Sequence, residues 1–525
     1  MDKRSPEASR AETNLNGELA SKNGEVWIDF VADLGDGFDS TYAIAYLLAQ
    51  PELHVEALGE KLPRAGALFM GGDEVYATAS AEAYQAKFSK PYSMAWPDTN
   101  EKPHPPIFAI PGNHDWYDGL GVFLALFCRP KGTYIGNWET RQRRSYFSAQ
   151  LNDSWWIWGI DIALVRNMDQ PQADYFVDAA EHMPNGASII LCSAEPGWYV
   201  AESEGESFKT LDYAALIAQQ AGKDLHIPLV LSGDSHHYAR YTGAESQFIT
   251  SGGGGAFLHG TLELKPKIKT DWLKEKDDTL TLQTAYPTQD RSRELLDERM
   301  SFFAMNREFS YFLGLTYLLF SFVLSSLYRW DVGLIIFLVL AGTFWGYSAY
   351  QEKKFNWPTF RYSLYQASAH LIAIWLFSAI ALWLWSYHPL HIHWLVWLAL
   401  LAILIVPLGA RIAGYIFGQY LKLTCKYYDR NHNDAFSSMR LNSYKNFLRI
   451  RITHDEVTVY PIGLDAVPGR AQWALNANRS TASPSIFALP REFKPHLIEA
   501  AITIKATGGL TSSEIKPGAP VASSH

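Results

Sequence analysis

The chain has 525 residues, more than one ordinary domain holds and enough for about two to four. A formal net charge of -9 with no basic block argues against nucleic acid as a main partner. Three widely spaced cysteines, Cys128, Cys192 and Cys425, argue against a disulfide framework or a metal finger and fit a reducing compartment.

Residues 1–25 are rich in Ser, Glu, Asn and Lys and lack the apolar stretch of a secretory signal, so they read as a disordered cytoplasmic tail. Short apolar runs then alternate with helical patterns over 26–264, the signature of an α/β domain. Four of these runs end in the same way. Trp27 to Ala32 meets Asp33; Ala67 to Met70 meets Gly71-Gly72-Asp73; Ile107 to Ile110 meets Pro111-Gly112-Asn113-His114-Asp115; and Ile227 to Leu231 leads to Gly233-Asp234-Ser235-His236-His237. Strands that end in carboxylates, an amide and imidazoles predict a polar cluster with the donors of a hydrolytic metal site.

Between these runs, Ser40 to Gln50 is helical, with Asp39 or Ser40 as N-cap. Tyr146 to Leu151 and Trp155 to Val165 form a strand pair joined by Asn152-Asp153-Ser154. Ala187 to Cys192 is a strand leading to Ser193-Ala194-Glu195-Pro196-Gly197. Gln247 to Ser251 enters Gly252-Gly253-Gly254-Gly255, which lacks the Lys-Ser/Thr ending of a phosphate loop and reads as tight turns beside the site.

Residues 265–307 turn charged and read as a connector. Four apolar segments follow within 308–420: Phe309 to Tyr328, Val332 to Tyr350, Leu364 to Trp385 and Trp394 to Tyr415. Each approaches the ~20 residues that cross a bilayer as a helix. Lys353, Lys354 and Arg361 follow the second segment, and Arg411, Lys422, Lys426 and Arg430 lie at or beyond the end of the fourth. The other two loops carry only Arg329 beside Asp331, and no Lys or Arg in 387–393, so the positive-inside rule places the catalytic domain and both termini in the cytoplasm. His370, inside the third segment, reads either as part of an ion path or as a neutral histidine bonded to a neighbouring helix; the low internal charge favours an anchor over a transporter. In 421–505, Phe447 to Thr453 and Glu456 to Ile462 around His454-Asp455 predict a β-hairpin, read as part of a separate small β-rich cytoplasmic region, and 506–525 is a polar tail.

Asp33, Gly72-Asp73, Gly112-Asn113-His114 and Gly233-Asp234-Ser235-His236 follow in the order of the calcineurin-like metallophosphoesterase motifs, and 26–264 resembles that superfamily. The local match is to the purple acid phosphatase type, in Asp33-Leu34-Gly35 with Phe38-Asp39-Ser40, in Asp73-Glu74-Val75-Tyr76, and in His236-His237-Tyr238-Ala239-Arg240. The resemblance implies a four-layer αββα sandwich and a membrane-anchored hydrolase that cleaves a phosphate mono- or diester by a metal-activated hydroxide. It implies two divalent or trivalent ions, Mn, Fe, Mg or Zn. Asp73 would bridge them; Asp33, His236 and Tyr76 would complete one ion and Asn113 would bind the other. His114 would hold the phosphate or protonate the leaving oxygen, with Asp115 orienting it.

The family's first His of Gly-His-X-His is Asp234 here, and its His before Pro is Ala194. Asp234 and the neighbouring Glu195 would replace them with carboxylates and favour oxygen-preferring ions, although Glu195 also reads as a surface carboxylate. His237 and Arg240 are substrate-binding candidates with a packing role as the alternative, and His259 reads either way. The expected partners are a phosphorylated substrate, lipid-derived in one reading, and the lipid bilayer. The rival reading is a degenerate phosphoesterase fold serving as a membrane sensor or scaffold, motivated by the missing histidines.

Overall fold

The computed structural model describes residues 13–508 except 22, 60, 100–102, 165, 204, 275–277, 328–329, 353–356, 387–392 and 481–482. The chain forms two units, one from 1–289 and 442–525, the other from 290–441.

In the first unit, Val26–Val31 (β1), Ala67–Met70 (β2) and Pro106–Ala109 (β3) lie parallel in one sheet. Trp155–Ile160 (β4), Ser188–Ser193 (β5), His226–Ser232 (β6) and Gln247–Ser251 lie parallel in a second. Tyr238–Thr242 (β7) precedes Gln247–Ser251 (β8) and pairs antiparallel with it and with Asp278–Tyr286 (β9). Side-chain alternation divides each strand between two cores. Ile28 and Phe30 of β1 and Phe69 of β2 share one core with Ile157 of β4, Ile190 of β5 and Leu229 of β6. Trp27, Val31 and Leu68 face the opposite way, onto Phe38–Ala49 (α1). Trp158 and Leu191 face Gln170–His182 (α2) and Glu206–Gln220 (α3). The two sheets thus share a core, and each is covered by helices on its far side.

Several boundaries differ from the sequence reading. The hairpin Lys445–Ile452 (β10) and Glu456–Leu464 (β11) does form, but not in a separate region: β10 pairs antiparallel with β1 from Val26↔Ile452 to Phe30↔Leu448 and extends the first sheet. The edge of β1 is otherwise an open row of donors and acceptors, and β10 closes it. Likewise β9 joins the second sheet, so the first unit does not end at Leu264. The described part of 1–25 is ordered: Leu15 is fully buried in the core between the sheets, and its amide donates to the Gln150 carbonyl. The rest of that tail and 509–525 lie outside the described residues. Helix α1 begins at Phe38, with Gly37 as N-cap, because Ser40 Oγ is committed to the Gly255 carbonyl instead of a cap.

The second unit contains Arg307–Leu327 (α4), Trp330–Glu352 (α5), Trp357–Ser386 (α6) and Trp394–Tyr428 (α7), all four long and apolar enough to cross a membrane. Their outward faces carry large apolar side chains such as Phe312, Leu338, Ile372 and Ile403. Inward, small residues permit close approach: a Cβ on Gly314 of α4 would sit 2.4 Å from the Val406 carbonyl of α7. His370 shares a 2.7 Å hydrogen bond with Tyr317 of α4 and stacks on Phe344, the packed alternative of the two readings. Arg329, Lys353, Lys354 and residues 387–392, on which the orientation argument draws, lie outside the described residues.

Candidate metal centre

Each candidate ligand follows the C-terminal end of a parallel strand, where open α/β sheets place their sites. Asp33 follows β1, Asp73 follows β2, Asn113 and His114 follow β3, Glu195 follows β5, and Asp234 and His236 follow β6. Four of them hold left-handed backbone: Asp33 at φ 57°, Asp73 at 56°, Asp234 at 65° and His236 at 46°. Non-glycine residues held there cost of order 1 kcal/mol each, and such strain gathers at functional sites. The glycines between them allow close approach. A Cβ on Gly112 would fall 2.0 Å from Asp73 Oδ1, and one on Gly252 would fall 2.0 Å from Asp33 Oδ2. The glycine run after β8 therefore packs on a site carboxylate.

Asp33, Asp73, Tyr76 and His236 are buried together. The Tyr76 hydroxyl is their junction, 2.9 Å from Asp73 Oδ2 and 2.8 Å from His236 Nε2. The far nitrogen of His236, Nδ1, lies 2.8 Å from the Phe257 carbonyl, and its ring stacks on His259 at 4.1 Å. Asp33 accepts from the Asp234 and His236 amides, which ties β1 to β6 across the two sheets. Asp73 Oδ1 accepts from the His114 amide.

His114 Nδ1 lies 2.6 Å from the Ala77 carbonyl and donates to it, which leaves Nε2 available. Asn113 Nδ2 lies 3.3 Å from the Tyr117 hydroxyl. Asp234 and Glu195 line a neighbouring cavity of about 340 Å3 together with Arg166 and Lys265. Arg166 Nε reaches Glu195 at 3.2 Å, so Glu195 is neither a bare surface carboxylate nor free to turn without breaking that pair.

Three expectations need correction. Asp115 does not orient His114. It is fully buried, and its carboxylate accepts from the amides of Asp73 at 2.9 Å and Gly112 at 2.8 Å and from the Tyr84 hydroxyl. It is the brace of the β2 and β3 loops, so we expect Asp115→Ala to lower stability by about 3 kcal/mol by stranding buried donors. A melting temperature unchanged by this substitution would contradict the brace. His237 is fully buried, as its packing alternative has it, and burial, aided by the His259 charge, pushes its pKa down to about 3. Arg240 is spent in a bidentate pair with Glu499, at 2.9 Å and 2.6 Å, and also bonds Thr242 and Gln247. Arg166, which carried no motif in the sequence, acts electrostatically on Asp234, after His114.

Lys445, at the start of β10, was also missed. It is fully buried, its ammonium donates to the Ala256 carbonyl, and Asp36 and Asp33 act on it electrostatically. Burial pulls its pKa down to about 8. A lysine after the apolar segments has no local signal that would link it to motifs near residue 33.

The electrostatics are those of crowded carboxylates. Burial first, then Asp115, raises Asp73 to about 7; burial first, then Asp73 and Glu195, raises Asp234 to about 7. Asp33 and Glu74 are pushed well up, again mainly by burial, then by neighbouring carboxylates. Burial and the same carboxylates hold the Tyr76 phenol well above its ordinary range, while burial, His259 and Lys445 keep His236 neutral.

Among the described residues no three His, Cys, Asp or Glu side chains are grouped closely enough to hold an ion, and the contacts among the donors run through the Tyr76 phenol. The donor chemistry itself, carboxylates, a phenol and one imidazole in mutual repulsion, fits an oxygen-preferring cation.

A pH prediction follows from these shifts. A carboxyl raised in the folded state stabilises the fold below its unfolded pKa near 4 and loses that contribution as pH rises through its folded value. His236 and His237, both depressed, act in the opposite sense, but only below about pH 6.5. Between about pH 6.5 and 7.5 the raised His496 acts in the same sense as the carboxyls, and Lys445, depressed to about 8, opposes them only toward the top of the window, so chelator-treated protein should melt at progressively lower temperature, losing up to ~1.4 kcal/mol per pH unit per group. Mn2+ should flatten the slope, and Asp73→Asn should reduce it without metal. A melting temperature that rises over this window in chelator would refute the assignment.

No family model matches the chain, and no curated protein matches it. Among solved structures it is similar to GAP50, described as the anchor in the inner membrane complex of Plasmodium, at 14% identity and a TM-score of 0.32, over 45% of this chain and 74% of that one. It is also similar to PhoD at 11% identity and a TM-score of 0.27, over 44% of this chain and 58% of that one. Superpositions this loose support no residue correspondence.

Proposed function

We propose that this chain is a membrane-anchored, metal-dependent phosphoesterase whose first unit is a four-layer αββα metallophosphoesterase sandwich. One observation carries the reading: Asp33, Asp73, Tyr76 and His236, from the ends of β1, β2 and β6 in two sheets, are buried together, with Asp73 and His236 bonded to the Tyr76 phenol oxygen and the two carboxylates in mutual repulsion. Asp33, Asp73, Tyr76 and His236 would hold one ion, and Asp73, Asn113, Asp234 and Glu195 a second, with Mn, Fe or Mg favoured over Zn by the oxygen donors. Such ions supply a lowered water pKa and neutralise phosphoryl charge.

The chain's own groups do the rest. Arg166 binds phosphoryl oxygens at the cavity mouth. His114, fixed through Nδ1, presents Nε2 to the leaving oxygen and gives it a proton when charged. The helices α4 to α7 form the anchor, with the catalytic unit and both termini in the cytoplasm, which puts lipid phosphates within reach as substrates.

A second reading, a non-catalytic membrane sensor or scaffold, is favoured by one specific feature: Lys445 already supplies a buried positive charge to Asp33. The deciding experiment is elemental analysis of the full-length, detergent-purified protein together with turnover of nitrophenyl phosphate mono- and diesters. Two ions per chain with turnover in Mn or Fe is the expected result. No metal and no turnover from folded protein would replace the enzyme by the scaffold.

A further inference from the structure

The backbone of Gly252-Gly253-Gly254-Gly255-Ala256-Phe257 is bonded to both Asp33 and His236. The Ala256 amide donates to the Asp33 carbonyl at 2.9 Å, and the Gly254 amide donates to the Ala32 carbonyl at 2.9 Å. The Phe257 carbonyl lies 2.8 Å from His236 Nδ1 and fixes that ring. Four glycines in succession have no side chains with which to hold such a loop, and glycine loses the most backbone freedom on being ordered. Much of the restraint comes from the first two residues of β10, Lys445 and Asn446, both fully buried. The Lys445 ammonium donates to the Ala256 carbonyl, one residue before Phe257. The Asn446 amide donates to the Gly253 carbonyl at 3.1 Å, and its side-chain oxygen accepts from Ser251 Oγ at 2.9 Å. Asn446 Nδ2 lies so close over Gly253 that a Cβ there would fall 2.1 Å from it. The pairing of β10 with β1 begins only at Leu448, so these two side chains do not hold that edge of the sheet.

We propose that Lys445 and Asn446 are positioning residues for the ion assigned to Asp33, Asp73, Tyr76 and His236: they clamp the loop 252–257, and the loop sets Asp33 and His236 at the spacing the ion needs. A site that begins at residue 33 is therefore completed only by chain that follows the four apolar helices. Groups that orient metal ligands from outside the ligand set typically contribute roughly 10–100-fold to metal affinity. The inference rests on the phosphoesterase reading and adds to it the residues that make this ion tight.

The test uses the full-length, detergent-purified chain. In chelator, hydrogen exchange of the peptide covering 252–257 reads the clamp without any metal. Lys445→Met, close in length but without the donor, should speed it about tenfold, the equivalent of one buried hydrogen bond from a charged group. Mn2+ titration followed by electron paramagnetic resonance then reads the site, and His236→Ala and Asn113→Ala mark which binding phase belongs to which ion. Lys445→Met and Asn446→Ala should each weaken the phase that His236→Ala removes by roughly tenfold or more and leave the other within about twofold. Lys445→Gln, which keeps an N–H donor, should lose less. A loss of packing alone would weaken both phases together. Excess Mn2+ should restore turnover, as it would not for a group that touches substrate. Melting in chelator shows which variants fold; if Lys445→Met does not, Lys445→Gln and Asn446→Ala decide. Unchanged exchange, unchanged Mn2+ affinity or equal weakening of both phases in folded variants overturns the proposal and leaves the phosphoesterase reading standing. A native chain with no Mn2+ phase overturns that reading, and this proposal with it.

Discussion

Arg449→Leu is expected to destabilise the first unit by roughly 3–5 kcal/mol, the cost of leaving a buried carboxylate without its partner. Arg449 of β10 and Asp29 of β1 stand directly opposite in the antiparallel register, 420 residues apart. Both are fully buried, and the guanidinium makes two bonds to the carboxylate at 2.9 Å and 2.8 Å. Burial alone raises the Asp29 pKa, and Arg449 is what pulls it back. Replacing both residues by leucine should recover most of the loss, because an apolar pair of similar volume needs no compensating charge. Thermal or denaturant unfolding of the purified chain reads both variants. A single substitution that costs less than about 1 kcal/mol, or a double variant no better than the single one, would mean that this pair does not hold β10 to β1.

Asp73→Asn should reduce phosphoester turnover by roughly a thousandfold or more, comparable to removing a principal electrostatic element of a hydrolytic site. The substitution is chosen to separate charge from fold. An asparagine oxygen still accepts from the His114 amide or the Tyr76 hydroxyl, so the loops after β2 and β3 keep part of their bonding. What is lost is the carboxylate proposed to lie between the two ions. Metal content should fall with activity, while melting in chelator should rise at pH 7.5, because one repelling carboxyl is gone. Turnover unchanged by Asp73→Asn would remove the phosphoesterase assignment of this site, whatever else the protein hydrolyses.

The parts of this protein legible in its sequence are those set by local pattern. Runs such as Ala67 to Met70 ending in glycine and aspartate show where strands stop, and those stops carry Asp33, Asp73, Asn113, Asp234 and His236 to the ends of parallel strands. The four apolar helices are equally local, since length and the lack of charge alone distinguish them. The hairpin around His454-Asp455 was visible too, but its partner was not. A strand pattern names the face it buries and never the edge it joins, and the choice of β1 by β10 spans 420 residues. For the same reason Lys445 could not be placed beside Asp33, nor Glu499 beside Arg240. Asp115 reads as an acid next to a histidine, yet its carboxylate is occupied by amides on two loops, a fact that exists only once β2 and β3 are adjacent. Residue type at a strand end is written locally. Which groups meet there, and whether a charge is spent on structure or left for chemistry, is decided by non-local pairing in a buried, low-dielectric core.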